Sequence, residues 1–266
     1  MLMKRTVTGV ALFLALLLVL WADGGFPWFA IAAVVVAAFG LWEFYGMVCA
    51  SGKAKPAIWL GIGLAALFIL QPLSSWANDG GILFTASTVL SLLWVMLRKN
   101  REGACSSWAF TLAGIMYLGW LASRYVALMG LPQGKDWVIL ALFCTFACDT
   151  CAFFVGRALG RHKMAPGISP GKTWEGAAGG LAGAIVMGLA VAWYFKLPIS
   201  VLQALGLSFT IAVFAQTGDL VESLFKRNMG AKDSGKALPG HGGVLDRIDS
   251  VVFAGLVVYY YVIWLA

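Results

Sequence analysis

One helical stripe in the carboxy-terminal third of the chain carries two carboxylates, a hydroxyl and an ammonium. Asp219, Glu222, Ser223 and Lys226 fall at i, i+3, i+4 and i+7, a spacing that puts them on one face. They lie in or beside an apolar run, where ionisable side chains are costly and mark a functional cleft by default. Beyond them, Lys226, Arg227, Lys232, Lys236 and Arg247 put five cations into a short span, and ammonium and guanidinium groups suit polyphosphate oxygens. Asp246 and Asp249, at i and i+3 where the last apolar run begins, together with Asp219 offer oxygen ligands for a hard divalent cation. Between them, Pro239-Gly240-His241-Gly242-Gly243 lets backbone amides approach an anion closely. His241 is expected to touch ligand or shape the turn, because transfer to an already ionised phosphate needs no base. The plainer readings are an ion pair of Asp219 with Lys226 or Arg227, basic residues that only fix topology, and an aspartate that only caps a helix.

Two further acids sit where lipid is expected. Asp149 lies toward the end of the apolar segment 136–158, and Glu43 lies in Trp42-Glu43-Phe44-Tyr45. Asp149 is a candidate supporting metal ligand. Glu43, with aromatic neighbours and no adjacent charge, is left without a role. The stretch Ser169-Pro170-Gly171-Lys172-Thr173-Trp174-Glu175-Gly176 has a superficial likeness to a phosphate-binding loop. That motif needs a glycine where Pro166 stands and a preceding strand. No strand is expected here, so a P-loop ATPase is excluded. Ser169, Lys172 and Thr173 just before a helix suit a phosphate at its N-terminus. Glu175 either pairs with Lys172 or stabilises the helix start. Cys144, Cys148 and Cys151 form a stripe inside an apolar run, as small packing residues would.

The elements that must position these groups are membrane helices. The chain has 266 residues, 61% hydrophobic and only 12% charged, about half the charge that a water-soluble surface requires. Apolar segments are read at about 6–22, 26–48, 57–74, 82–97, 108–130, 136–158, 175–195, 199–225 and 250–265. A backbone in lipid must satisfy its own hydrogen bonds, and these runs do not alternate as barrel strands would. The expected fold is all-α: a single integral membrane domain over 1–266 with about nine transmembrane helices. Its amino-terminal helices span 1–105, and the part bearing the motifs spans about 136–266. The first segment is read as an uncleaved crossing, since no small-residue cleavage site follows it. With the N-terminus in the cytoplasm, all of the 19 Lys and Arg residues except Arg124, Lys135 and Lys196 fall on the inner side. Positive charge is retained inside, giving an N-in, C-out chain. The net charge of +7 is explained by this bias, and nucleic acid is not an expected partner.

From Ser223 to Asp249 the sequence resembles the signature of the phosphatidate cytidylyltransferase family. Its pattern is Ser-x-Phe-Lys-Arg-x4-Lys-Asp-x-Gly-x2-Leu-Pro-x-His-Gly-Gly-x2-Asp-Arg-x-Asp, about a tenth of the chain. The stretch from Ser169 to Gly176 is similar to a second segment of that family. The resemblance implies that CTP and phosphatidate yield CDP-diacylglycerol and pyrophosphate, in phospholipid biosynthesis, with dependence on a divalent cation, usually Mg2+. Asp219 and Asp246 would be the main metal ligands, with Asp249 and Asp149 supporting. Asp219, Asp246, Lys226 and Arg227 would be catalytic. Ser169, Lys172, Thr173, Ser223, Lys232, Lys236, His241 and Arg247 would bind substrate and its phosphates. The expected setting is a bacterial cytoplasmic (inner) membrane, with the site open to the cytoplasm and to membrane lipid; a homodimer is left open. Competing readings are a membrane transporter, which would spread charges through the bundle, and a related enzyme acting on another lipid alcohol or phosphate.

Overall fold

The structure, a computed structural model, describes residues 14–22, 27–74, 80–235, 237 and 242–265. The expected Lys236 and His241 lie outside the described residues. In chain order, the helices are α1 (helical over 14–22), α2 (Trp28–Ala50), α3 (Ile58–Leu70), α4 (Gly80–Met96), α5 (Ala104–Gly114) and α6 (Leu121–Met129). They continue with α7 (Gly134–Leu159), α8 (Trp174–Tyr194), α9 (Val201–Asn228) and α10 (Leu245–Leu265). A π-helical stretch, Ile115–Trp120, joins α5 to α6. Each apolar segment read from the sequence coincides with helix among the described residues. Among them α2, the continuous span Ala104–Met129, and α7 to α10 are long and apolar enough to cross a membrane; α3 and α4 are apolar but shorter.

One local expectation fails. The stretch before α8 contains two short strands, β1 (Lys163–Ala165) and β2 (Ser169–Thr173), paired antiparallel with Lys163 opposite Thr173 and Ala165 opposite Ser169. Pro166 and Gly167 close the hairpin between them, residues whose fixed or permissive φ suits a turn. The strands are too short for a periodicity signal to reveal them. Thr173 then caps α8, its Oγ1 accepting from the Gly176 amide at 3.1 Å.

The described chain divides into two compact units. One comprises 1–126 with 228–247, the other 127–227 with 248–266. In the first unit, Leu41, Phe44, Tyr45 and Val48 of α2 are buried. A second core cluster joins Leu64, Phe68, Leu83 and Ile115. Polar stitches run through this apolar packing. The turn between α2 and α3 gives its Lys55 amide to Ser107 Oγ at 3.0 Å and its Ala57 amide to Thr111 Oγ1 at 2.9 Å. Tyr45 donates its hydroxyl to the Thr111 carbonyl at 2.8 Å. The first two contacts satisfy amides of the turn, the one at Ala57 fully buried.

In the second unit, α7 packs along α8, with Cys144 and Cys148 fully buried. The Cys144 thiol faces the Ala184 carbonyl at 3.6 Å, so the cysteine stripe is a packing surface. Gln216 of α9 reaches the Ala177 carbonyl of α8 at 3.2 Å. Large apolar side chains, including Phe153 and Phe154 of α7, Val186 and Trp193 of α8 and Leu202 and Phe209 of α9, point outward. So much exposed hydrocarbon is unfavourable in water and suited to lipid. The protein is an all-α membrane protein, with one small hairpin among the described residues.

Replacing Thr111 by Val keeps the shape and removes the acceptor of the buried Ala57 amide. Thermal unfolding in detergent is expected to show a loss of about 1–3 kcal/mol, with Thr111→Ser losing less.

Candidate active site

The second unit gathers charge at one end of its helices. Lys172, the fourth residue of β2, extends its Nζ to Asp219 Oδ2 on α9 at 2.7 Å. One turn further along α9, Glu222 is almost wholly buried and pairs with Lys226 at 2.5 Å. Arg227, at the end of the same helix, donates through Nε to the Ile168 carbonyl at 3.1 Å, in the hairpin turn. The hairpin absent from the sequence reading is therefore the element that brings Lys172 to the acid-bearing face of α9. Ser223 is buried on α9.

Asp249 of α10 is buried and sits in the electrostatic field of Asp219, Asp149 and Lys226. Asp149 of α7 and Asp219 of α9 thus both act on the carboxyl of Asp249 on α10. Close approach of α9 and α10 makes this possible. A methyl group on Gly218 would fall 2.5 Å from the Asp249 carbonyl oxygen, so glycine lets the backbones meet beside the acids. Such a concentration of carboxylate charge favours a cation, and the Lys172 ammonium already rests on one of its members. Among the described residues, no group of three His, Cys, Asp or Glu side chains is arranged as a metal cage.

The pairing decides two points that the sequence left open. Asp219 takes Lys172 as its ion-pair partner, and not Lys226 or Arg227 as in the plainer reading. Lys226 is drawn instead to Glu222, one helical turn away, a spacing that meets across a helix face. Glu175 does not pair with Lys172. It lies in the first turn of α8 and accepts from the Arg161 amide at 3.2 Å and the His162 amide at 3.2 Å, while its Oε1 lies 2.5 Å from His162 Nδ1. Glu175 stabilises the helix start and ties the exit of α7 to it. Thr173 serves as the helix cap, and Ser169 is half-buried in β2.

The first unit holds the other half of the signature. Lys232 and Arg247 are exposed there. Asp246, in the first turn of α10, accepts through Oδ2 from the Gly243 amide at 2.9 Å and the Ser234 amide at 3.2 Å. It closes the loop on itself, as an acid at a helix start can. Glu43 of α2 is the residue that sequence reasoning left without a role. It is 7% exposed. Its Oε2 accepts from the Leu245 amide at 2.9 Å and the Ser234 hydroxyl at 3.3 Å. The loop backbone presses on it so closely that a methyl group on Gly243 would lie 2.5 Å from Oε2. The available signal was an acid in an oily helix; its partners lie about 190 residues away in sequence and could not be guessed. Ser234 carried no signal of its own.

Removing one member of the buried Glu222–Lys226 pair leaves the other without this ion pair. Glu222→Ala is expected to cost on the order of 3–5 kcal/mol in detergent unfolding, and Glu222→Ala with Lys226→Met to recover much of it.

Comparison with known proteins agrees over nearly the whole chain. A family model described as the cytidylyltransferase family matches residues 3–265. A protein of Staphylococcus saprophyticus named phosphatidate cytidylyltransferase is 34% identical over 250 residues, covering 94% of each chain. A protein of the same name from Synechocystis is 33% identical over 286 residues, covering 97% of this chain and 94% of its own. Another from Staphylococcus aureus is 33% identical, with 94% of each chain covered. The match reaches far past the signature loop and takes in the amino-terminal helices with the charged end of α7 to α10, so this chain belongs to the cytidylyltransferase family.

Proposed function

We propose that the protein is a membrane nucleotidyltransferase that makes CDP-diacylglycerol and pyrophosphate from CTP and phosphatidate, the activity named in its relatives. The observation that carries the reading is the junction of α7 to α10 with the hairpin. Lys172 pairs with Asp219; Lys226 and two aspartates act on Asp249; and Arg227 bonds the hairpin turn from the end of α9. A water-soluble nucleotide and a lipid phosphate can meet only where charge and hydrocarbon adjoin.

In the reaction, a phosphate oxygen of phosphatidate attacks the α-phosphorus of CTP. A new phosphorus–oxygen bond forms, the α–β anhydride bond breaks, and the bond's electron pair leaves with pyrophosphate. Both reactants are anions, so their repulsion must be offset before they meet. Lys172 can exchange its carboxylate partner for a phosphate oxygen. Lys226 and Arg227 fix phosphates with donors on a rigid helix end, and charge-assisted bonds of this kind orient as well as attract. Ser169, Thr173 and Ser223, with Lys232, Lys236, His241 and Arg247 of the signature, complete the binding groups in this reading.

A divalent cation, Mg2+, is part of the proposal. The donors suit it: Asp219, Asp249 and Asp149 are carboxylates, the hard oxygen ligands that such an ion takes. Mg2+ typically takes one or two carboxylates and fills its remaining positions with water and phosphate oxygens, so a cage of three side chains is not required. Asp219 would hold it with Asp246, and Asp249 and Asp149 would support. When bound, it would neutralise charge on the transferring phosphates. The chain is proposed to cross a bacterial inner membrane about nine times, N-in and C-out, with the site on the cytoplasmic side.

Purified protein is expected to convert CTP and phosphatidate to CDP-lipid and pyrophosphate only with a divalent cation. Asp219→Ala should lower turnover about 100-fold or more, and Lys172→Met should lower kcat/KM for CTP roughly 10- to 100-fold. Solute flux in vesicles without turnover on any lipid phosphate would instead favour transport. For orientation, a cysteine at exposed position 232, in a chain otherwise free of cysteine, should react with an impermeant reagent only from the cytoplasmic face.

A further inference from the structure

We infer that Glu43 is a positioning residue: from α2 it clasps the signature loop and thereby sets Asp246. This deepens the proposed function and, for its catalytic consequence, rests on it.

Glu43 lies nearly two hundred residues before the loop, on a helix that otherwise contributes aromatic and aliphatic packing. Burying a carboxylate there is costly, and its recovery comes from the loop. The Leu245 amide is the first of α10, one of the amides that a helix leaves without an internal partner. Glu43 Oε2 accepts it at 2.9 Å. The same oxygen accepts the Ser234 hydroxyl, while the Ser234 amide donates to Asp246. Ser234 is thus the link between two carboxylates: its side chain is held by Glu43 and its backbone holds Asp246. The loop contributes Gly235 and Gly243 where the Glu43 side chain lies, and neither position has room for a side chain against that carboxylate. Glycine in the signature is therefore explained here by contact with α2 as well as by any approach to an anion.

A second contact fastens the other end of the loop. Lys53, in the turn after α2, donates to both the carbonyl and the side-chain oxygen of Asn228, the last residue of α9. One helix and its exit turn therefore hold the loop at its entrance, its middle and its exit. Residues that grip a loop at three points restrict its conformers, and a catalytic group misplaced by about 1 Å can lose about 100-fold in rate. Glu43 does not touch the reacting atoms in this inference; it acts through Ser234 and Leu245.

The test compares Glu43→Ala, Glu43→Gln, Ser234→Ala and the Glu43→Ala/Ser234→Ala pair in full-length protein in detergent. Glutamine keeps an acceptor oxygen at the same reach, so it is expected to retain clearly more activity than alanine. Glu43→Ala should lower kcat at least about tenfold, and adding Ser234→Ala should cost little more, since both act through one link. Hydrogen exchange read by mass spectrometry should show amides over 242–250 opening about tenfold faster in Glu43→Ala, with helices α7 and α8 unchanged. Wild-type exchange and activity within twofold in Glu43→Ala would overturn the inference. So would a glutamine variant as inactive as alanine with an undisturbed loop, since charge and not the clasp would then be at work. If Glu43→Ala does not fold, Ser234→Ala carries the same exchange test alone. The exchange arm needs no substrate, so its outcome separates failure of the clasp from failure of the proposed reaction, in which wild-type protein itself would make no CDP-lipid.

Discussion

A charge surrounded by hydrocarbon must find a partner within the protein, and this requirement organises the charged end of the helices. Glu222, almost wholly buried, takes Lys226 for this reason, while Lys172 and Asp219 pair in a more open setting. Neither pair is a source of large net stability, since desolvation offsets much of the attraction. Their effect is geometric. The Lys172–Asp219 pair joins the hairpin to α9, while Glu222 and Lys226 pair within α9 itself.

The hairpin before α8 follows from this. A flexible loop could carry Lys172, but with a large entropy of ordering. Two paired strands, a helix cap at Thr173 and the Glu175 carboxylate holding the amides of Arg161 and His162 restrict it beforehand. Arg227 then bonds the hairpin turn from α9. Preorganisation of this kind matters where the work of the site is to gather anions, since cations already in place need no reorganisation when charge shifts. The apolar grooves elsewhere on α8 to α10, of about 450 and 520 Å³, contain none of the charged candidates.

The same demand ties the signature loop to α2 and the turn after it. The loop between Asn228 and Arg247 belongs to the unit of α1 to α5, although the helices before and after it extend into the other unit. A glycine-containing loop has little apolar surface with which to stabilise itself. Its described residues are held from outside: Ser234 and Leu245 by Glu43, and Asn228 by Lys53.

Composition and patterning alone were sufficient to read a membrane helix protein, because too few charges exist to coat a soluble surface and every apolar run is long compared with a strand. They were also sufficient to single out Asp219, Lys226, Arg227 and Asp249, because an ionised group in an oily segment is conspicuous and because the signature is long. Lys172 was visible as a candidate, but its partner was not: the ion pair spans separate elements, and sequence spacing reports only neighbours on one helix. The hairpin escaped because strands of three and five residues leave no usable period. Glu43 shows the boundary most clearly. Its cost was legible in one dimension, since an acid stood among aromatics. Its purpose was decided only in three, where the amide of Leu245 and the hydroxyl of Ser234 come to meet it.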